Sequence, residues 1–187
     1  MNKAVTVWFT GMSGAGKTTI SKKVCDILIS RSMQVELLDG DILRKGICRD
    51  LGFTKEDREK NVERVIYLAK MLNRHNIISL VSLITPYEKS RELARHEIAD
   101  YIEVYVKTSL QTLIKRDVKG LYKKSINGEI KGFTGIDAPF EQPKHSDLTL
   151  DTELISINEC AKKVIEILER RGIIPKIDQV IRSLERP

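Results

Sequence analysis

The chain has 187 residues, of which 41% are hydrophobic and 31% are charged, and 32 Lys and Arg against 26 Asp and Glu give it a formal net charge of +6. This apolar content excludes a disordered tail protein, and 11 Gly with 5 Pro are too few for a collagen-like or low-complexity chain. Charged residues interrupt every apolar run before it reaches the roughly 20 residues that a membrane-spanning helix needs. We therefore expect one globular domain over residues 1–175, with no membrane segment and located in the cytoplasm.

Strand-length apolar runs alternate with amphipathic, helix-length runs along the chain. The predicted strands are Val5–Thr10, Val35–Asp39, Ile77–Ile84, Tyr101–Lys107 and Leu148–Leu150. The predicted helices are Lys17–Ser30, Lys55–Arg74, Tyr87–Ala99, Ser109–Arg116 and Ile157–Arg171. This alternation predicts an α/β fold of three layers, in which helices cover both faces of a five-stranded parallel sheet.

The stretch from about 119 to 143 breaks the alternation, since it has four glycines, two prolines, a cluster of lysines and no clear period. A long irregular segment in a compact domain is usually functional, and we expect a lid over the site. Residues 176–187 form a tail whose apolar spacing is again helical.

The cysteines and histidines give no sign of metal or disulfide chemistry. Cys25, Cys48 and Cys160 lie far apart and are odd in number, and the three histidines are equally scattered. We expect the cysteines to be small buried apolar side chains.

A phosphate-binding loop follows the first strand. Residues 11–18, Gly-Met-Ser-Gly-Ala-Gly-Lys-Thr, fit the pattern G-x-x-x-x-G-K-[ST] between a predicted strand and a predicted helix. Its backbone N–H groups and the helix N-terminus would hold phosphate oxygens, Lys17 would reach the β- and γ-phosphates, and Thr18 would face Mg²⁺. The predicted contacts to ATP are Gly11, Ser13, Gly14, Ala15, Gly16, Lys17, Thr18 and Thr19.

Several classes of nucleotide-binding protein share this loop, and residues elsewhere in the sequence distinguish between them. Residues 54–57, Thr-Lys-Glu-Asp, match the guanine-reading motif of GTPases, but they open a helix, where Thr54 is better explained as the N-cap and Asp57 as residue N3. A motor ATPase would carry an acid at the end of a central strand, and the strand before Thr85 ends without one. The acidic partner of the metal must then be Asp39 or Asp41, at a strand end that suits an acceptor site.

Further motifs resemble the adenylyl-sulfate kinase family over about Val5 to Thr152. They are Leu38-Asp39-Gly40-Asp41 with Arg44, Leu51-Gly52-Phe53-Thr54, Asp57-Arg58 with Asn61, Ile84-Thr85-Pro86-Tyr87 with Arg91, Arg116-Asp117-Val118-Lys119-Gly120-Leu121-Tyr122, and Lys131-Gly132-Phe133-Thr134-Gly135. The resemblance implies a P-loop kinase fold and transfer of phosphate from Mg²⁺-ATP to the 3′-hydroxyl of adenylyl sulfate. It also implies a homodimer and no nucleic-acid partner.

The resemblance assigns roles to individual residues. It implies catalytic positions at Lys17, Asp41 and Thr85, with Asp41 as general base and, with Thr18, as metal ligand. Asp41 could also cap a helix at 42–46. The implied acceptor contacts are Asp41, Arg44, Phe53, Arg58, Asn61, Ile84, Thr85, Lys119, Gly132 and Phe133. Phe53 and Phe133 would sandwich the acceptor adenine, the alternative being that both are core side chains.

Three departures from the family pattern bear on substrate and mechanism. Thr85 stands where the family usually has a serine that some members phosphorylate, and we expect its hydroxyl to bind substrate without acting as nucleophile. Glu63 and Glu88 stand where arginine is common. They leave open a kinase for a related nucleotide acceptor, and a nucleotide-dependent regulatory module is the other alternative.

Overall fold

The computed structural model describes residues 4–176, which contain five strands and seven helices. The strands are β1 (Thr6–Thr10), β2 (Val35–Asp39), β3 (Ile78–Ser82), β4 (Tyr101–Lys107) and β5 (Leu148–Asp151). The helices are α1 (Lys17–Ser30), α2 (Gly40–Leu43), α3 (Lys55–Arg74), α4 (Glu88–Glu97), α5 (Leu110–Arg116), α6 (Leu121–Ile126) and α7 (Ile157–Arg170).

All strands pair in parallel in the order β2-β3-β1-β4-β5, so the predicted five-stranded parallel sheet is confirmed. The long predicted helices are also present, with small shifts at their ends. The sequence analysis missed α2 and α6, because four and six residues are too short to display a helical period. The predicted tail helix at 176–187 lies outside the described residues except for Lys176.

The central strand β1 is buried along its whole length and separates two apolar layers. Successive side chains point to opposite faces of a strand. Val7 and Phe9 therefore join the core cluster beneath α1 and α7, and Trp8 joins the cluster beneath α3 and α4. Helices thus cover both faces of the sheet, which confirms the prediction from the alternation of strand-length and helix-length runs.

The three cysteines are buried, as expected for small apolar side chains, and they are unpaired. Cys25 and Cys160 belong to the core beneath α1 and α7. Among residues 4–176, no helix is long and apolar enough to cross a membrane.

The parallel sheet brings its carboxyl ends to one edge, and each connection there carries part of the candidate site. The loop from β1 to α1 holds Gly11–Gly16, the turn after β2 holds Asp39 and Asp41, and the connection after β3 holds Ile84 and Thr85. Motifs that are 70 residues apart in sequence therefore meet in space.

The start of α3 tests the interpretation of Thr54 as a cap. Its side chain accepts a hydrogen bond from the backbone N–H of Asp57 at 3.1 Å.

We expect Thr54→Ala to lower the free energy of unfolding by about 1 kcal/mol, measured by urea denaturation, because the N–H of Asp57 loses its partner. Thr54→Ser keeps the acceptor and is the matched control. A Thr54→Ala protein as stable as the serine variant would contradict the capping role.

Candidate functional site

A cleft of about 700 Å³ runs along the carboxyl edge of the sheet. Every predicted site residue lines it except Gly11 and Ala15, which are buried in the loop. The structure therefore brings the phosphate-loop residues and the residues predicted to bind the acceptor into one continuous space. Residues that the sequence analysis did not assign also line the cleft, among them Val118 and Thr134.

Glycine is required at particular turns of the phosphate loop. A Cβ on Gly11 would lie 2.5 Å from the carbonyl oxygen of Val106 in β4, and Gly16, the residue before α1, has a φ of 107°. No other residue fits the first position, and the second is strained for any side chain. The loop thus wraps closely against β4 and leaves the N-terminus of α1 open to the cleft.

Lys17 is buried at the start of α1, and its ammonium is held by the loop itself. Nζ donates to the carbonyl oxygens of Gly11 and Met12, both at 2.8 Å. Burial, followed by the positive charge of Lys119, lowers the pKa of Lys17 to about 7, while the carboxylates of Asp41 and Asp39 act in the opposite direction. An anion in the loop would favour the charged form of this side chain.

Asp39 occupies the position between the phosphate loop and α2. Its Oδ2 accepts from the hydroxyl of Thr18 at 2.7 Å, and its Oδ1 accepts from the backbone N–H groups of Asp41 and Ile42. Asp39 is therefore the N-cap of α2. The expectation that Asp41 caps a helix at 42–46 is wrong, because the helix begins one residue before Asp41.

Asp41 lies in the first turn of α2 and is exposed to the cleft. Its carboxylate forms an ion pair with Lys119, which comes from the 119–143 segment. Both side chains are partly open to solvent, so the pair is easily exchanged for a ligand.

Arg58 ties the 119–143 segment to α3. Its guanidinium donates to the carbonyl oxygens of Phe53 at 2.9 Å and Gly132 at 2.7 Å, and to the hydroxyl of Thr134 at 2.9 Å. A planar fork with several donors can make these bonds together, whereas a lysine could not.

Asn61 follows Arg58 by three residues on α3 and is 5% exposed, and its Oδ1 has no hydrogen-bond partner. Buried polar atoms are nearly always paired in folded proteins. Since Asn61 lines the cleft, an N–H or O–H group of a ligand is the expected donor.

The two phenylalanines have different environments. Phe53 is 61% exposed, with the guanidinium carbon of Arg44 4.4 Å from its ring centroid, so it is not a core side chain. Phe133 is half-buried and meets Tyr122 edge to face, with ring centroids 5.0 Å apart. The hydroxyl of Tyr122 donates to the carbonyl oxygen of Ser13 at 2.8 Å, so α6 joins Phe133 to the phosphate loop.

Thr85 has a φ of 44°, which a β-branched residue rarely adopts, and it is 2% exposed. Its hydroxyl accepts from the indole N–H of Trp8 at 2.9 Å, and its carbonyl oxygen accepts from Arg91 Nη1 at 2.7 Å. Strained residues of this kind persist only where their surroundings hold them.

The two acidic departures from the family pattern stand outside the cleft lining. Glu88 forms an ion pair with buried Arg91. Glu63 is exposed on α3, and its neighbour Arg64 pairs with Asp50 at 2.5 and 2.7 Å. Neither glutamate is therefore among the residues that line the cleft.

Comparison with known proteins agrees with this geometry. Residues 3–151 match the model of a family described as Adenylylsulphate kinase. A curated adenylyl-sulfate kinase of Halothermothrix orenii is 50% identical over 179 residues, which cover 96% of this chain and 97% of that protein.

Solved structures show the same similarity. The Mycobacterium tuberculosis APS kinase CysC in complex with AMPPNP and APS superposes with a TM-score of 0.88 at 42% identity, covering 90% of this chain and 99% of that one. The hexameric APS kinase from Thiobacillus denitrificans superposes with a TM-score of 0.71 at 27% identity, over 92% of this chain and 30% of that one.

The lowered pKa of Lys17 predicts that ATP binding takes up a proton. With a pKa of about 7, roughly nine-tenths of Lys17 is neutral at pH 8 in the free protein, and bound phosphates restore the charged form. We expect an uptake of about 0.9 proton at pH 8 and about 0.1 at pH 6, with affinity falling as pH rises above 7. Calorimetry in buffers of different ionisation enthalpy measures the uptake.

Lys17→Arg is the control, because arginine stays charged and its binding should be proton-neutral at pH 8. The absence of proton uptake at pH 8 in the unaltered protein would show that Lys17 is charged before the nucleotide arrives.

Proposed function

The chain belongs to the adenylylsulphate kinase family, and on that premise we propose that it transfers the γ-phosphoryl group of ATP to the 3′-hydroxyl of adenylyl sulfate. The products are ADP and 3′-phosphoadenylyl sulfate, so the reaction belongs to sulfate activation. The observation that carries this proposal is the single cleft in which Lys17 and Thr18 of the phosphate loop share walls with Asp41, Arg44 and the other acceptor residues.

On the donor side, the loop and Lys17 bind the phosphates of ATP. Incoming phosphate oxygens replace the carbonyl oxygens of Gly11 and Met12 as partners of the Lys17 ammonium. A cation held in a low-dielectric site stabilises the charge that is redistributed over the phosphates in the transition state.

Mg²⁺ is the proposed cofactor. The neighbouring hydroxyl of Thr18 and carboxylate of Asp39 are hard oxygen ligands, and Mg²⁺ needs only one or two protein groups beside water and phosphate. The sequence analysis assigned the acidic ligand to Asp41, which pairs instead with Lys119, so the contact to Thr18 favours Asp39 for this role. The ion would neutralise charge on the β- and γ-phosphates.

On the acceptor side, Asp41 is the proposed general base. Its carboxylate is exposed to the cleft on the first turn of α2, where it can accept the proton of a ribose hydroxyl. Lys119 would leave Asp41 and bind the anionic end of the acceptor, which frees the carboxylate for that proton. Direct in-line transfer needs no phosphorylated side chain, so Thr85 is not the nucleophile.

The other acceptor residues bind and orient the substrate. Arg44 and Lys119 supply positive charge for the phosphosulfate group, and the unpartnered Oδ1 of Asn61 accepts from the substrate. Phe53 and Phe133 are the proposed stacking partners of the adenine. Arg58 contributes chiefly through the 119–143 segment, since both of its terminal nitrogens donate to residues of that segment.

The 119–143 segment is the proposed lid. It carries Lys119 and Phe133 into the cleft and is held by Arg58. Closure of such a segment over both nucleotides would exclude water, which would otherwise compete for the phosphoryl group. We treat residues 1–175 as one catalytic unit and 176–187 as an appended tail.

We also propose a homodimer in the cytoplasm, with no nucleic-acid or membrane partner. Three unpaired buried cysteines fit a reducing compartment. Exposed apolar side chains four residues apart on α3, Tyr67 and Met71, fit a surface between copies. Light scattering on the purified chain distinguishes a dimer from a monomer and from a hexamer such as the Thiobacillus denitrificans enzyme.

A coupled assay of ADP release tests the reaction itself. Turnover that depends on adenylyl sulfate supports the proposal, and faster turnover with AMP or another nucleotide would favour the alternative of a kinase with a different acceptor. ATP binding with no turnover on any acceptor would favour the regulatory module.

Asp41→Asn tests the base. We expect kcat to fall by about 10²–10⁴ with the binding of both nucleotides retained, because the amide cannot accept the proton. Asp50→Asn removes a carboxylate that pairs with Arg64 outside the cleft and should leave kcat unchanged. A change in KM alone for Asp41→Asn would make it a binding residue, and the base would have to be another group.

Phe133→Ala tests the adenine sandwich. Stacking on a base contributes about 1–3 kcal/mol, so the Kd for adenylyl sulfate should rise about 5- to 150-fold while the Kd for ATP stays nearly unchanged. Phe140→Ala is the matched control, since it removes a phenylalanine of the same segment that stacks on Tyr105. Equal losses for both nucleotides, with a large drop in Tm, would instead identify Phe133 as a structural side chain.

A further inference from the structure

Trp8 lies in the middle of β1 and is completely buried. It packs in the core beneath α3 and α4, with its ring centroid 6.1 Å from that of Tyr101. A phenylalanine or leucine would supply most of this apolar contact. The feature that only tryptophan adds is the indole N–H, and it donates to the hydroxyl of Thr85 at 2.9 Å.

The hydrogen bond between Trp8 and Thr85 has only one possible direction. An indole N–H can only donate, so the hydroxyl oxygen of Thr85 must accept. The hydroxyl proton of Thr85 is then free to be donated to another group. Within residues 4–176, no group accepts that proton in a hydrogen bond. Thr85 is 2% exposed and lines the acceptor side of the cleft. Because buried polar groups are nearly always paired, we expect this hydroxyl to donate its proton to a ligand in the cleft.

The backbone of Thr85 is held as firmly as its side chain. Its left-handed φ of 44° costs energy for a β-branched residue. Arg91 donates to its carbonyl oxygen at 2.7 Å, and Thr10 donates to the carbonyl oxygen of Ile84 at 2.7 Å. Trp8 and Thr10 are two residues apart, so β1 presents both to the same connection after β3.

We propose that Trp8 is a positioning residue of the acceptor site, which orients the Thr85 hydroxyl so that its single proton is donated to an anionic oxygen of the phosphosulfate group. This inference rests on the proposed function, because it takes adenylyl sulfate as the acceptor. The indole leaves Thr85 no competing partner for its proton, and a donor oriented in advance loses little entropy when the substrate binds. Trp8 itself never touches the substrate.

A double-mutant cycle isolates this effect. Thr85→Val removes the hydroxyl with little change in shape and should raise the KM for adenylyl sulfate about tenfold, with kcat and the KM for ATP within about twofold of the unaltered enzyme. Trp8→Phe should raise the same KM about threefold or more in the presence of Thr85, but by less than about twofold in the Thr85→Val background. Thr85→Ser should restore most of the affinity.

Val65→Ala is the matched core control, because Val65 is buried in the same layer and makes no bond to Thr85. It should lower Tm without a selective rise in the KM for adenylyl sulfate. If Trp8→Phe raises that KM by the same factor with and without the Thr85 hydroxyl, Trp8 is a packing residue and the proposal is overturned.

A second measurement does not require Trp8→Phe to fold. Trp8 is the single tryptophan of the chain, so the protein has one indole N–H resonance in its NMR spectrum. Thr85→Val should shift this resonance, and adenylyl sulfate should shift it in the unaltered protein far more than in Thr85→Val. The proposal is overturned if neither Thr85→Val nor adenylyl sulfate shifts this resonance. Turnover of adenylyl sulfate by the unaltered enzyme is measured first, so that failure of the proposed function is recognised separately.

Discussion

The burial of β1 between two parallel neighbours is the constraint on which the site depends. Val7 lies opposite Leu80 of β3 and Ile102 of β4, and every side chain of β1 is buried. This register places the loop after β1 beside the connections after β2 and β3. A shift by one residue would turn Trp8 and Thr10 to the other face and break their bonds to Thr85 and Ile84.

The site keeps its positive charges in place by pairing them within the protein. Lys17 donates to two loop carbonyls, Arg58 to carbonyls and a hydroxyl, and Lys119 to Asp41. For the buried side chains of Lys17 and Arg58, these partners reduce the cost of burying charge before any ligand is present. In the proposed reaction, phosphate and phosphosulfate oxygens replace the partners of Lys17 and Lys119, whereas Arg58 keeps its own. In that proposal, Lys17 and Lys119 act in binding and chemistry, whereas Arg58 maintains the shape of the cleft.

The proposed donor and acceptor halves of the cleft are joined directly, through the contacts of Thr18 with Asp39 and of Gly11 with Ile84, and also through the 119–143 segment. Tyr122 bonds the carbonyl of Ser13 in the phosphate loop and supports the ring of Phe133, while Arg58 holds Gly132 and Thr134 against α3. The 119–143 segment therefore contacts the phosphate loop as well as α3. The strained connection at Thr85, held by Trp8 and Arg91, is a second link between the sheet and the acceptor side.

The sequence by itself determined the order and kind of the long elements, and the phosphate loop with its part of the cleft lining. These features are local. Apolar residues recur every 3.6 positions in a helix and every second position in a strand, and the glycine-rich turn is a run of consecutive residues. The resemblance to a known family added the residues proposed to bind the acceptor. The short helices α2 and α6 were not predicted, because four and six residues are too few to show a helical repeat of apolar positions.

Only the tertiary structure decided which side chains pair across the chain. It placed Asp39, and not Asp41, against Thr18, bonded Arg58 to Gly132 across 74 residues, and brought the indole of Trp8 to Thr85. It also lowered the pKa of Lys17, since that shift comes from burial and from charges brought close by folding. Such contacts join residues that are distant in sequence, and they exist only once the parallel strands have brought their ends to one edge of the sheet.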